Sequence, residues 1–189
     1  EYAFVTGATG LLGNNVVHAL LKRNIKVKAL VRSVEKAKKQ FGNLPVEFVE
    51  GDVLNVDAFS HALEGCDALF HTAAYFRDSY KGGKHWQKLY DTNVTGTERL
   101  LQAAYAAGIR RAVHTSSIAV LKGDRDQVID ETMSRNELEA DDYYLSKILS
   151  EQKVHEFLAQ HPDMFIAMVL PGWMFGPGDI GPTSSGQFL

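Results

Sequence analysis

Short apolar runs alternate along the chain with longer stretches in which apolar residues recur every three or four positions. The first pattern suits buried strands and the second suits amphipathic helices. Strands are expected at Tyr2–Thr6, Lys26–Val31, Val46–Glu50, Ala68–His71, Arg111–Ser116 and Phe165–Leu170. Helices are expected from about Leu11 to Lys22, across the Lys-rich 34–40 segment, over Val56–Leu63, over 85–107 and over 142–160. Short Val/Ile/Leu-rich strands separated by helices predict an α/β fold. The sheet should be parallel, covered on both faces and joined by right-handed crossovers. No internal repeat is visible beyond the βα unit itself.

Composition narrows the setting. With 189 residues, 45% hydrophobic and 23% charged, the chain can bury a core without disulfides or metal staples. A net charge of −3 and a pI near 6.2 disfavour nucleic-acid or membrane-surface binding, which a basic face would serve. Cys66 is the single cysteine and is expected to be a small buried hydrophobe, so a reducing, cytoplasmic setting is expected. The seven histidines show no metal-ligand spacing, and neither a leader pattern nor a membrane-length apolar run appears. Residues 1–175 are expected to form one domain. The Gly/Pro/Ser-rich 176–189 reads as a linker or the start of a further lobe, with both ends of the chain looking cut.

The chemistry begins between the first strand and its helix, at Thr6-Gly7-Ala8-Thr9-Gly10-Leu11-Leu12-Gly13. Gly7 allows a tight turn, Gly10 lets backbone approach a pyrophosphate, and Gly13 permits close helix–strand packing. The following helix N-terminus offers free N–H groups to the phosphates. This predicts a Rossmann-type doubly wound domain, with Gly7, Thr9, Gly10, Leu11, Leu12 and Gly13 as candidate dinucleotide contacts.

The G-x-x-G-x-x-G spacing resembles the extended branch of the short-chain dehydrogenase/reductase superfamily, the NAD-dependent epimerase/dehydratase family. Members that use NAD usually carry Asp or Glu after the second strand to hold the ribose 2′-hydroxyl. Arg32-Ser33 stands there instead, with Lys36 within reach. A guanidinium suits a 2′-phosphate, so NADP(H) is favoured over NAD(H). A solvated basic surface is the other reading of Arg32 and Lys36 to Lys39. The resemblance further implies adenine contacts at Asp52 and Val53, with Val53 covering the ring, and a small-residue turn at Thr72, Ala73 and Ala74. Thr115 and Pro171 are implied near the nicotinamide side.

Tyr143-Tyr144-Leu145-Ser146-Lys147 places a Tyr and a Lys at i and i+4, on one helix face. It follows a strand ending in His114-Thr115-Ser116-Ser117. The resemblance implies Tyr143 as general acid/base, Lys147 as the cation that lowers its pKa and contacts the cofactor, and Ser117 as the carbonyl-orienting hydroxyl. Tyr144 and Ser116 are their neighbouring competitors. Asn93 resembles a helix Asn beside the active site, with backbone hydrogen bonding as its expected task. Tyr75-Phe76 and His85-Trp86 suit either a substrate pocket or the core.

Ser117 is followed by Ile118-Ala119-Val120, without the acidic pair that dehydratases of the family carry, and Arg32 departs from the epimerase pattern. The resemblance is therefore to the dihydroflavonol-reductase group. It implies NADP(H)-dependent reduction of a ketone or aldehyde to an alcohol by a small-molecule enzyme that could be a homodimer. An NAD-dependent sugar-nucleotide epimerase or dehydratase is the first alternative. A non-catalytic dinucleotide sensor is the second.

Overall fold

The computed structural model describes residues 1–76 and 80–180. Six strands, β1 (Tyr2–Thr6), β2 (Lys26–Val31), β3 (Val46–Glu50), β4 (Ala68–His71), β5 (Arg111–Thr115) and β6 (Phe165–Val169), form one sheet. Their order is β3-β2-β1-β4-β5-β6, and every neighbouring pair is parallel. The strand order reverses between β1 and β4, where Thr6 pairs with His71. Ligands of open α/β sheets bind at such a switch point, beyond the strand C-termini.

The period-2 alternation of the strands builds two cores, one on each face. On one face Ala3, Val5, Val27 and Ala29 pack with Val17, Leu20, Ala37 and Phe41 of helices α1 (Leu11–Lys22) and α2 (Val34–Phe41). On the other, Phe4, Leu69, Ala112 and Ile166 meet Leu100, Leu101, Val154 and Phe157. Those last four come from helices α4 (Gly96–Ala106) and α5 (Asp142–Gln160). Cys66 is buried in this second core, as its type predicts.

Two expected helices differ. The 85–107 stretch divides into α3 (Trp86–Leu89), a π-helical turn Tyr90–Thr95, and α4. The wider turn carries Asn93, and such turns cluster at functional sites. Val56–Leu63 is not one α-helix but parts of two 3-10 turns, Val53–Ala58 and Ser60–Leu63. The strands expected to reach Ser116 and Leu170 end one residue earlier, at Thr115 and Val169. Of the expected 176–189 segment only the part to Ile180 lies within the described residues. No helix among those residues is long and apolar enough to cross a membrane.

Candidate active site

The glycine loop is shaped by contacts that exclude side chains. Gly7 sits at φ +65, and a Cβ there would stand 2.7 Å from the Ala73 nitrogen and the Thr72 hydroxyl oxygen. A Cβ at Gly13 would overlap the Gly7 carbonyl oxygen. Gly10 differs: among the described residues a Cβ there would meet only the Gly7 oxygen, at 3.4 Å, so they leave the outer side of the loop open. The loop is braced from two sides. Thr72 Oγ1 donates to the Thr6 carbonyl (2.7 Å), and Gln40 Nε2 donates to the Thr9 carbonyl (3.2 Å).

Gly10 caps α1 without a side-chain hydrogen bond, and the first turn holds no acidic residue. The leading N–H groups of α1 thus face the open loop with the positive end of the helix dipole. An open backbone cradle with unpaired donors fits the pyrophosphate of a dinucleotide.

Arg32 follows β2, is exposed and has no ion pair among the described residues. Lys36 is exposed one helical turn onward, while Ser33 caps α2 by accepting from the Lys36 amide (3.3 Å). Asp52 Oδ1 accepts from the Leu54 amide (3.0 Å), which fixes the turn after β3. Val53, expected to cover an adenine ring, is buried in the core cluster that holds Val56 and Phe59. A turn that puts Asp52 at the sheet edge points the next side chain inward.

Between the two halves of the site runs a buried network the sequence pattern does not announce. His71 Nδ1 lies 2.7 Å from Thr6 Oγ1 and Nε2 lies 2.9 Å from Thr97 Oγ1. Thr97 spends its own proton on the Asn93 carbonyl (2.7 Å), so His71 must donate through Nε2 and accept at Nδ1 from Thr6. Burial, helped by the Lys147 charge, pushes His71 down to about 3, which keeps this neutral form. His114 lies beside it, its ring tilted by 39° with ring centres 5.5 Å apart, and is likewise held far below its ordinary value by burial. Its Nδ1 is buried without a hydrogen-bond partner among the described residues. The visible signal was two histidines at the ends of adjacent apolar strands.

Asn93 performs the expected task. Its Oδ1 accepts from the Tyr75 amide (2.8 Å) and its Nδ2 donates to the Tyr75 carbonyl (3.0 Å) and to Ser146 Oγ (3.0 Å). This ties the β4 end to α5. Tyr75 also hydrogen-bonds His85 Nδ1 (2.7 Å), and Trp86 lies against Tyr90.

The β5 end and α5 converge through Tyr143, Lys147 and Ser117. Lys147 Nζ donates to the Thr115 carbonyl (2.8 Å) from a buried position. Ser117 is half-buried, accepts from the Ala119 amide (3.1 Å) and faces Tyr143. Ser116 is buried and committed to Glu151 (2.6 Å), which separates the two serines. Asp141 caps α5 at the Tyr144 amide (2.8 Å), and the Tyr144 ring lies under the Arg135 guanidinium at 4.8 Å. Tyr143 instead meets Phe76, with ring centres 4.6 Å apart, and Tyr80. The Ile118 amide donates to the Pro171 carbonyl (3.2 Å), bringing the stretch after β6 to this corner.

The expected depression of the Tyr143 pKa is absent. Burial pushes Tyr143 up to about 12, and the Ser117 hydroxyl only partly opposes it. Burial also lowers Lys147 to about 8, with Glu151 pulling the other way. The ammonium is occupied by the Thr115 carbonyl, so it does not act on the phenol as the i, i+4 spacing suggests.

A doubly wound sheet with a glycine cradle at its switch point, and a Ser/Tyr/Lys corner beside it, defines a dinucleotide-binding domain of the short-chain dehydrogenase/reductase type. The chain belongs to the NAD dependent epimerase/dehydratase family, whose model matches residues 3–189. It is 38% identical to a Synechocystis sp. protein named "Putative dihydroflavonol 4-reductase", over 98% of this chain and 53% of that one. It resembles the solved structure of gox2253 with a TM-score of 0.86 and 34% identity, over 99% of this chain and 56% of the other. Yeast methylglyoxal/isovaleraldehyde reductase Gre2, solved with NADPH, matches with a TM-score of 0.82 and 26% identity, over 94% and 59%. The chain thus spans just over half the length of these relatives.

Proposed function

We propose that this chain is the cofactor-binding, proton-donating part of an NADP(H)-dependent oxidoreductase that reduces a ketone or aldehyde to an alcohol. The observation that carries the reading is the convergence of Tyr143, Ser117 and Lys147 beside an open glycine cradle. A nicotinamide dinucleotide held on the glycine cradle would supply the hydride for the carbonyl carbon. The carbonyl oxygen then gathers charge and needs a donor and a proton. Tyr143, kept as a phenol by burial, is in the form that donates. Ser117 offers a second hydroxyl, and Lys147 holds a positive charge at neutral pH under the same corner. An acid-form phenol favours the reductive direction.

Arg32 supports a 2′-phosphate, being cationic, exposed and unpaired among the described residues where an NAD enzyme would carry a carboxylate. The Gre2 complex with NADPH is consistent with that preference. Phe76 and Tyr80, packed on the Tyr143 ring, suit a substrate with an apolar or aromatic body. The test is a panel of carbonyl compounds with NADPH and the full-length protein, reading loss of nicotinamide absorbance. Turnover of ketones or aldehydes supports the reading. No turnover on any, with binding of NADPH intact, would favour the sensor alternative.

A further inference from the structure

Three consecutive residues at the β5 end meet three residues of α5 spaced four apart. Thr115 gives its carbonyl to Lys147 Nζ (2.8 Å), Ser116 gives its hydroxyl proton to Glu151 Oε2 (2.6 Å), and Ser117 faces Tyr143. Tyr143, Lys147 and Glu151 lie at i, i+4 and i+8, on one side of the helix. The first two are assigned to the reaction above, and the third has no assigned part.

We propose that Glu151 is a positioning residue of this site, fastening the β5 end through Ser116 and supplying the carboxylate that acts on the buried Lys147 ammonium. This rests on the reading of Ser117 and Lys147 given above. A short charge-assisted bond to Ser116 fixes the strand immediately before Ser117. Ser116 is only 3% exposed, so water does not compete for that bond. The backbone agrees: the Ser116 amide donates to the Val169 carbonyl (2.8 Å), so this residue is pinned from β6 as well as from α5.

The charge matters because Lys147 is buried and, apart from the Thr115 carbonyl, meets little that favours a cation. His71 on β4 and His114 on β5 are the titratable groups facing it across the sheet end, and both are neutral. On α5 itself, Tyr143 is an uncharged phenol one turn before it and Glu151 the carboxylate one turn after. Of these groups only Glu151 favours the ammonium. Losing that charge while keeping the bond should therefore leave the fold in place and make Lys147 give up its proton more readily.

Glu151→Gln makes this separation, since the amide oxygen still accepts from Ser116. The measurement is an NMR titration of the Lys147 side chain in lysine-labelled chain, assigned with Lys147→Arg and run without cofactor. Wild type is expected to titrate near 8, and Glu151→Gln about one pH unit lower, with Glu151→Asp restoring most of the difference. An unchanged midpoint in Glu151→Gln overturns the proposal. Should that variant fail to fold, the wild-type Glu151 carboxyl carbon decides. An inflection at the Lys147 midpoint supports the pairing, and a flat trace through it overturns it. Because no turnover is read, a failed reductase assignment would leave this result standing.

Discussion

The two halves of the site are built from different materials. The cradle at β1 and α1 is made of backbone: three glycines, a bare helix N-terminus and two braces from Thr72 and Gln40. The corner at β5 and α5 is made of side chains whose protonation depends on burial, with Tyr143 pushed up to about 12 and Lys147 down to about 8. Backbone recognition is fixed by which residues lack a Cβ. Side-chain chemistry is fixed by the dielectric around each group. The first should therefore fail by steric overlap, and the second by loss of a proton or a charge.

The largest effect is expected on the side-chain half. Tyr143→Phe removes the donor while leaving its packing on Phe76, and kcat of the full-length enzyme should fall about a thousandfold with NADPH affinity unchanged. Steady-state kinetics alongside a binding titration checks it, and retained turnover would remove Tyr143 from the reaction. Next comes the backbone half. Gly13→Ala drives a methyl group into the Gly7 carbonyl, so the chain should lose about 2–3 kcal/mol in denaturant unfolding and bind NADPH weakly. A variant of wild-type stability and affinity would show that the cradle is looser than described.

The buried imidazoles give a pH dependence that neither half shows alone. His71 accepts its proton at about 3 when folded and near 6.5 when unfolded, so between those values the unfolded chain binds the proton first. Stability is then fully present above pH 6.5 and falls as the pH drops toward 3, by about 1.4 kcal/mol per pH unit for this group. His114 acts in the same direction. Unfolding curves at several pH values check the slope, and stability independent of pH across this window would mean that the network opens to solvent.

The same division explains what could be read in advance. The strands and the glycine loop follow from spacing and residue type, and the backbone-holding task of Asn93 from the resemblance, all of which survive without coordinates. The preference for Ser117 over Ser116 and for Tyr143 over Tyr144 came from the resemblance; the partners of the other two residues, Glu151 for Ser116 and Arg135 for Tyr144, are not legible in the sequence. The upward shift of Tyr143 is not legible in the i, i+4 pair, which suggests a cation under the phenol, whereas Lys147 turns to the Thr115 carbonyl. Val53 has its side chain in the core, at a turn whose direction the sequence does not encode. The His71–Thr97–Ser150 contacts join residues from β4, α4 and α5, far apart in the chain.

Arg32 sits where the backbone half hands specificity to a side chain, and it makes the smallest expected change with the most direct meaning. Fluorescence titration of the protein with NADPH and with NADH, repeated on Arg32→Ala, tests it. The account predicts NADPH bound about tenfold more tightly than NADH, with the ratio falling toward one in the variant. Equal affinities for the two cofactors in the wild type would contradict it.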